Sequence, residues 1–402
     1  MCGRGAPARR ARRTGEPRHR PDGGRPAVAL RDAARRGVRG GTGALAGSGL
    51  TIWTNALTAL GRIGLADAVA AHGVELDRQE IVSVSGRPLG TVPVGPLGDE
   101  IGRRGVGVRR EDLLRTLLAG CAAVPIRYRA RLTAVLQDAD GVTAEFADGA
   151  AERGDVLVGA DGIRSVVRRG LFDGRPAQAL GHMIWRGISE SDEGYPRETS
   201  LMVFGAAGER TVSWPVGGGR VCWSVSRNGG PALSPVVDPV GVKRMLLEYL
   251  SHFPSPLLGV LGTTPAARIM RTDLFGHFED QWARGRVALL GDAAHAMPTV
   301  YGQGACQAIE DAVTLAEELS ATADVEAALQ GYAERRQPRV RWIRQRVFSL
   351  SRYQEWQLPV LTTLRDEAFT RIPANATVGT WRRLLTFDDR PAGAGEGAGH
   401  AA

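Results

Sequence analysis

Lysine is all but missing from this 402-residue chain, Lys243 being the only one, and cysteine occurs four times, at Cys2, Cys121, Cys222 and Cys306. The thiols form no C-x-x-C pair and have no histidine at ligand spacing, which argues against a structural metal and for reduced thiols in a cytoplasmic setting. No apolar run approaches the roughly 18 residues that a membrane span needs. The first 45 residues contain no Ile, Phe, Tyr, Trp, Lys or Asn, so they cannot bury a core of their own. They hold 12 Arg against Glu16, Asp22 and Asp32, a net of +9 that leaves −1 for the remainder of a chain whose total is +8. The excess charge is confined to one arm, and that arm has no aromatic side chain to stack on bases. A nucleic-acid partner is therefore not expected, and nothing in the sequence points to an oligomeric state.

What is present is concentrated in RVALLGDAAHAMPTVYGQGACQAIEDAVTLAEEL, residues 286–319. The apolar run 287–290, ending in Gly291, reads as a buried parallel strand. Ala305, Ala308, Ile309, Ala312, Val313, Ala316 and Leu319 then recur at helical spacing. The loop between strand and helix carries Asp292 at the strand's carboxyl end, then Pro298, Gly302 and Gly304 just before the helix. Open α/β sheets place ligands at this point. Glycines at a helix start leave backbone N–H groups bare, and the positive end of the helix dipole favours an electron-rich group. Asp292 suits a polyol hydroxyl and the 302–304 turn an anionic ring, whereas His295 reads as a polar cap rather than a metal ligand.

The run GDAAHAMPTVYGQGACQAIEDA resembles the flavin-ribityl motif of the FAD-dependent aromatic hydroxylases, the single-component flavoprotein monooxygenases typified by p-hydroxybenzoate hydroxylase. Two further stretches carry the resemblance. In VGVRREDLLRTLLAG, Arg110 matches the family's arginine that reaches the ribityl and pyrophosphate region of the flavin. In GADGIRSVVR, Asp161 and Gly162 match the motif whose acid serves both FAD and the transient nicotinamide cofactor. The resemblance implies an α/β fold: an FAD-binding Rossmann-like domain with an inserted antiparallel β-sheet substrate lobe. It implies a cofactor-binding set of Arg110, Asp161, Gly162, Asp292, Pro298, Gly302 and Gly304. It also implies that NADPH or NADH reduces the flavin and that O2 forms a flavin hydroperoxide, whose oxygen hydroxylates or epoxidises an electron-rich small organic substrate. The branch resembles the small urate and nicotinate hydroxylases and the epoxidases. No side chain need act as a nucleophile, so no catalytic residue is assigned. Two alternatives keep the fold but not the reaction: a flavin oxidoreductase that inserts no oxygen, and an inactive relative lacking the first FAD phosphate loop.

In chain order, residues 46–180 and 276–390 are expected to form the FAD-binding domain with the C-terminal helices, 181–275 the substrate lobe and 391–402 a flexible tail. Helical spacing predicts a helix over 55–71. Alternation predicts a β-meander over 126–129, 132–137 and 142–146 with a hairpin turn at 138–141, and an antiparallel sheet over 199–204, 210–216 and 221–227. Met202, Phe204, Trp214 and Trp223 are candidate substrate-binding walls on that sheet, although an aromatic residue on a sheet is more often core. Helices over 325–332 and 339–350 are expected to be interrupted near Pro338. Arg335, Arg336, Arg339, Arg341, Arg344 and Arg346 read as a solvated face.

Residues 1–45 do not fit the resemblance, because a strand, a G-x-G-x-x-G turn and a helix should stand there. Arg, Gly, Ala and Pro instead make up 33 of the 45 residues. The single lysine indicates GC-rich coding DNA, and such DNA read out of register yields those four residues. The segment is either frameshifted or a genuine disordered arm. On the first reading the 402-residue chain purifies poorly or without flavin colour, whereas a start re-derived from the nucleotide sequence gives a yellow protein. An absorbance spectrum showing stoichiometric flavin on the 402-residue chain would overturn it.

Overall fold

Val287, Ala288 and Leu289 have no exposed surface. Their strand, Val287–Leu289, pairs in parallel with Leu157–Gly159 and antiparallel with Ala283–Arg284. Small apolar residues buried on both faces are what a covered parallel sheet requires. The computed structural model containing this sheet describes residues 29–30, 48–172, 175–228, 238–354, 356 and 358–387. The tail 391–402 and most of segment 1–45 lie outside the described residues. Within that segment Ala29–Leu30 forms a strand, parallel to Ile126–Arg127. The run at 126–127 is therefore not part of the meander, whose three strands are Leu132–Asp138, Gly141–Phe146 and Ala151–Gly154. The expected hairpin turn is present: the Asp138 carboxylate accepts from the N–H groups of Asp140 (2.9 Å) and Gly141 (3.0 Å).

The helix predicted over 55–71 is two helices, Thr54–Arg62 and Ala66–Ala70. They are separated at Gly64, whose φ of 72° no helical residue adopts. After the strand Val287–Leu289 and its loop comes the central helix, Gln303–Ala321, packed between Thr54–Arg62 and the long helix Val325–Gln354. The long helix continues across Pro338, where the sequence predicts an interruption. Proline removes one N–H and crowds the preceding turn, at a cost of about 3 kcal/mol. Here Tyr332, Ala333, Val340 and Ile343 bury one face on both sides of the proline, and Arg336 and Arg339 are tied to the central helix. Tertiary contacts on both flanks outweigh the local penalty.

The other large unit is a seven-stranded sheet. Its order is Met270–Gly276, Gln178–Ile188, Val221–Asn228, Glu209–Pro215, Thr199–Phe204, Arg78–Ser83 and Pro88–Val92. All neighbours are antiparallel except Thr199–Phe204 beside Arg78–Ser83. The last two strands come from early in the chain, so the sheet is wider than segment 181–275. Helices Pro239–Tyr249 and Ser255–Thr263 cover one face, packing Leu246 and Leu261 in one core with Trp185, Trp223 and Val225 of the sheet. Residues of opposite parity, Ile184, Met202, Val212 and Trp214, face a cleft against the first unit. Among the described residues no helix is long and apolar enough to cross a membrane.

The two units meet at Gly107, on the strand Val106–Arg109. A Cβ there would lie 2.1 Å from the Pro215 carbonyl oxygen and 2.8 Å from Trp214 Cδ1. Backbone cannot step aside as a side chain can, so Gly107→Ala is expected to destabilise the protein by about 3 kcal/mol, the upper end for overpacking. An unchanged thermal denaturation midpoint would show that this approach does not constrain the fold.

Candidate active site

The loop after Val287–Leu289 is shaped by two glycines. Gly291 has φ 61° and Gly302 φ 66°, values that L side chains rarely adopt. A Cβ on Gly302 would stand 2.5 Å from Thr51 Oγ1, whereas one on Gly304 would meet nothing within 4 Å. The loop therefore presses on strand Gly49–Ile52 at one glycine and opens onto the cleft at the other. Gly302, Gly304 and Ala305 line the cleft and no side chain caps the central helix, so its positive end is open to the cavity. The cleft encloses about 600 Å³, within the range of small-molecule sites. Arg110, Gly162, Asp292, Pro298, Gly302 and Gly304 all line it.

Asp161 stands just behind that wall. One carboxylate oxygen accepts from the N–H groups of Val166 (2.7 Å) and Val167 (3.3 Å), while the other is buried without a partner. The residues present fit FAD. An acid lines the cleft at Asp292, an orphaned acceptor waits at Asp161, a cation sits at Arg110, and a glycine turn at a bare helix start leaves room for a flat ring.

The opposite wall is the cleft face of the seven-stranded sheet. Met202 and Trp214 line it, and Trp214 Nε1 is buried without a partner. Trp223 borders the cleft but turns its indole to the helix-covered face, where Nε1 donates to Thr264 Oγ1 at 2.8 Å. Phe204 lies off the cavity wall, packed on Phe369 at 5.0 Å between ring centroids and under the Arg365 guanidinium. Strand parity separates Trp223 from Trp214, and the helix carrying Phe369 covers Phe204.

Two cations on this sheet were not singled out from the sequence. Arg186 lines the cleft and donates to Thr272 Oγ1 at 2.6 Å. No carboxylate pairs with it among the described residues. Burial lowers its pKa, and the nearby Arg110 adds to that. Arg210 is buried and donates to the Thr299 carbonyl at 3.1 Å, tying the sheet to the loop beyond Pro298; burial brings it down to about 10. The available signal was an arginine at an inward position of a strand, two residues after Ile184 in one case and two before Val212 in the other.

Arg336 and Arg339 do not belong to a solvated face. Arg336 is fully buried, with Nη1 2.5 Å from Glu310 and Nε 2.8 Å from Asp311, and Arg339 Nε lies 2.8 Å from Glu310. His295 is buried too, its Nε2 2.6 Å from Asp311 Oδ2. Burial pushes the Asp311 carboxyl up, but His295 and Arg336 outweigh it and hold the pKa down at about 2. Glu310 is lowered by Arg339 and Arg336 against the same opposition. Because the folded pKa of Asp311 is depressed, its contribution to stability is present above the ordinary range near ~4 and fades as pH falls toward 2. Among the described residues no cluster of His, Cys, Asp and Glu could hold a metal ion.

A cleft between an α/β unit and a covered antiparallel sheet, with residues that fit FAD on one wall, suits a flavin-binding oxidoreductase. The FAD binding domain family matches residues 45–185 and 261–347. Over 348 residues the chain is 31% identical to the aurachin C monooxygenase/isomerase of Stigmatella aurantiaca, covering 85% of this chain and 88% of that protein. Over 371 residues it is 33% identical to the 3-amino-4-hydroxybenzoate 2-monooxygenase PtmB3 of Streptomyces platensis, covering 87% and 88%. The crystal structure of Klebsiella pneumoniae HpxO complexed with FAD and uric acid superposes with a TM-score of 0.77 at 27% identity, covering 84% of this chain and 87% of that one. The chain belongs to this family and is an FAD-dependent monooxygenase, a flavoprotein of the hydroxylase and epoxidase group.

Asp292 is expected to accept hydrogen bonds from ribityl hydroxyls. Since a hydrogen bond to a charged group contributes about 1.5–3 kcal/mol, Asp292→Ala should weaken FAD binding by about tenfold or more. Equal retention of FAD by mutant and parent on dialysis would remove Asp292 from the cofactor site.

Proposed function

We propose that this monooxygenase uses NADPH or NADH and O2 to hydroxylate or epoxidise an electron-rich aromatic or enolic substrate that binds through an acidic oxygen. The observation that carries the reading is Arg186: a partly buried cation on the substrate wall, bonded to a neutral hydroxyl and without a carboxylate among the described residues. A cation withdrawn from water is stabilised by an anionic partner. Arg110, on the cofactor wall, is the other arginine of the cleft, so the cavity as a whole favours anions.

When bound, FAD supplies the redox chemistry, taking electrons from a reduced nicotinamide and passing one oxygen atom of O2 to the substrate. The chain orients and shields. Arg186 holds the substrate's acidic oxygen and favours its ionised form, which raises electron density on the ring or alkene carbon. Trp214 Nε1, buried and unpartnered, offers a second donor to a substrate oxygen. Ile184, Met202 and Val212 keep water from the reacting face. A smaller basic pocket beside Asp161, lined by Arg164, Arg169, Arg175 and Phe275, suits the phosphates of the nicotinamide cosubstrate.

Arg186→Leu is expected to retain FAD and raise the KM for phenolic or enolic acids by about tenfold or more, the effect of losing one charged hydrogen bond. Trp214→Phe should change which substrates are oxidised, whereas Trp223→Phe should alter stability alone. The measurement is steady-state kinetics with O2 uptake compared against hydroxylated product. An Arg186→Leu enzyme with parental KM for every acidic substrate would refute the assignment.

A further inference from the structure

The turn that carries Asp292 is a helix of only four residues, Asp292–His295, too short to hold its own conformation. Its entry residue, Gly291, has φ 61°, a conformation open to glycine and rarely adopted by L side chains. Groups outside the turn must fix it: Arg168 Nη1 donates to the Ala293 and Ala294 carbonyls at 3.0 and 3.3 Å, and one carboxylate oxygen spans the two ends of the turn. Asp311 Oδ2 accepts the Gly291 backbone N–H at 3.1 Å and faces His295 Nε2 at 2.6 Å. The first contact is at the start of the turn and the second at its end. The other oxygen, Oδ1, accepts from Arg336 Nε at 2.8 Å, so the carboxylate cannot rotate away. Asp311, His295 and Arg336 are all at or below 1% exposure, and no water competes for these bonds.

The same cluster reaches the second element that faces the cofactor. Arg336 also bonds Gln307 Oε1 (2.7 Å), and Gln307 Nε2 donates to Gln303 Oε1 (2.9 Å) in the first turn of the central helix. The acid that meets the ribityl chain and the helix start that meets the ring are thus referenced to one buried group.

We propose that Asp311, through the Gly291 amide and the His295 imidazole, is a positioning residue that holds Asp292 in its FAD-binding pose. The inference rests on the assignment of Asp292 to the cofactor, but it is tested separately from that assignment. Amide hydrogen exchange of the full 402-residue chain, followed by mass spectrometry, reads the turn with no cofactor added. In Asp311→Asn and in His295→Leu the peptide spanning 290–296 should exchange about tenfold or more faster than in the parent, the loss expected for one charge-assisted hydrogen bond. Peptides of the strands Glu209–Pro215 and Val221–Asn228 should not change. His295→Gln, which keeps a side-chain donor, should restore parental exchange at 290–296.

FAD titration followed by flavin fluorescence should show the same order, with Asp311→Asn and His295→Leu weakened about tenfold and His295→Gln close to the parent. Faster exchange spread evenly over the chain, or none at 290–296, overturns the proposal. So does a loosened turn with unchanged FAD affinity. Should Asp311→Asn not fold, the two His295 variants carry the test, because the Asp311–Arg336 pair is intact in both. If the turn loosens as expected but Asp292→Ala binds FAD like the parent, the cofactor role of Asp292 fails and the pinning of the turn stands.

Discussion

Two carboxylates, Glu310 and Asp311, meet two guanidinium groups, Arg336 and Arg339, where all four side chains are buried. Withdrawing each charge from water costs several kcal/mol, so such a cluster persists only when every member is paired and further hydrogen-bonded. Here the further bonds come from elements distant in sequence. Asn55 donates to Glu310, Arg339 donates to the Arg383 and Leu384 carbonyls, and Gly291 and His295 complete Asp311. Removing one partner leaves an uncompensated charge, at a cost of about 3–5 kcal/mol. The cluster therefore couples the long helix, the C-terminal helix Ala374–Leu385, the first helix and the loop after Val287–Leu289 into one wall of the cleft.

The facing wall is built on different physics. The seven-stranded sheet has an apolar face under two helices and a mixed face toward the cleft, and parity along each strand decides which residues go where. Trp214 and Trp223 lie on adjacent strands, yet one reaches the cavity and the other anchors a core. The two walls touch where Gly107 runs under Pro215 and where Arg210 reaches the Thr299 carbonyl. One wall is fixed by charge pairing and the other by apolar packing, so cleft-facing side chains of the sheet away from Arg210 and the Gly107 contact can vary without unpairing the buried cluster. A family whose members carry names as different as urate hydroxylase and zeaxanthin epoxidase is consistent with that division of labour.

Much of this was legible in the residue order because it is local. A strand ending in Gly-Asp, a proline, two glycines and an amphipathic helix lie within one continuous stretch, and backbone sterics and helix periodicity act over that range. The resemblance carried by that stretch led to the FAD-binding fold, and the meander turn at Asp138 and the three antiparallel strands followed from alternation. Gly64 shows where local reasoning failed at its own scale: helical spacing continued across a glycine whose positive φ ends the first helix.

The rest depended on neighbours far along the chain. Arg336 and Arg339 look like surface residues in sequence, set among Arg335, Arg341 and Glu334; their partners, Glu310 and Asp311, belong to another helix and meet them only when the two pack. Pro338 looks like a break because its local cost is visible and the contacts that offset it are not. Arg186 became a candidate substrate cation only once its strand placed it in the cleft with the loop after Val287–Leu289. Sequence alone determined the strand-loop-helix motif, which short-range chemistry dictates, and through its family resemblance the cofactor class. Tertiary structure alone decided which charges are buried and which aromatic rings reach the cleft, because burial is a property of surfaces brought together and not of any residue by itself.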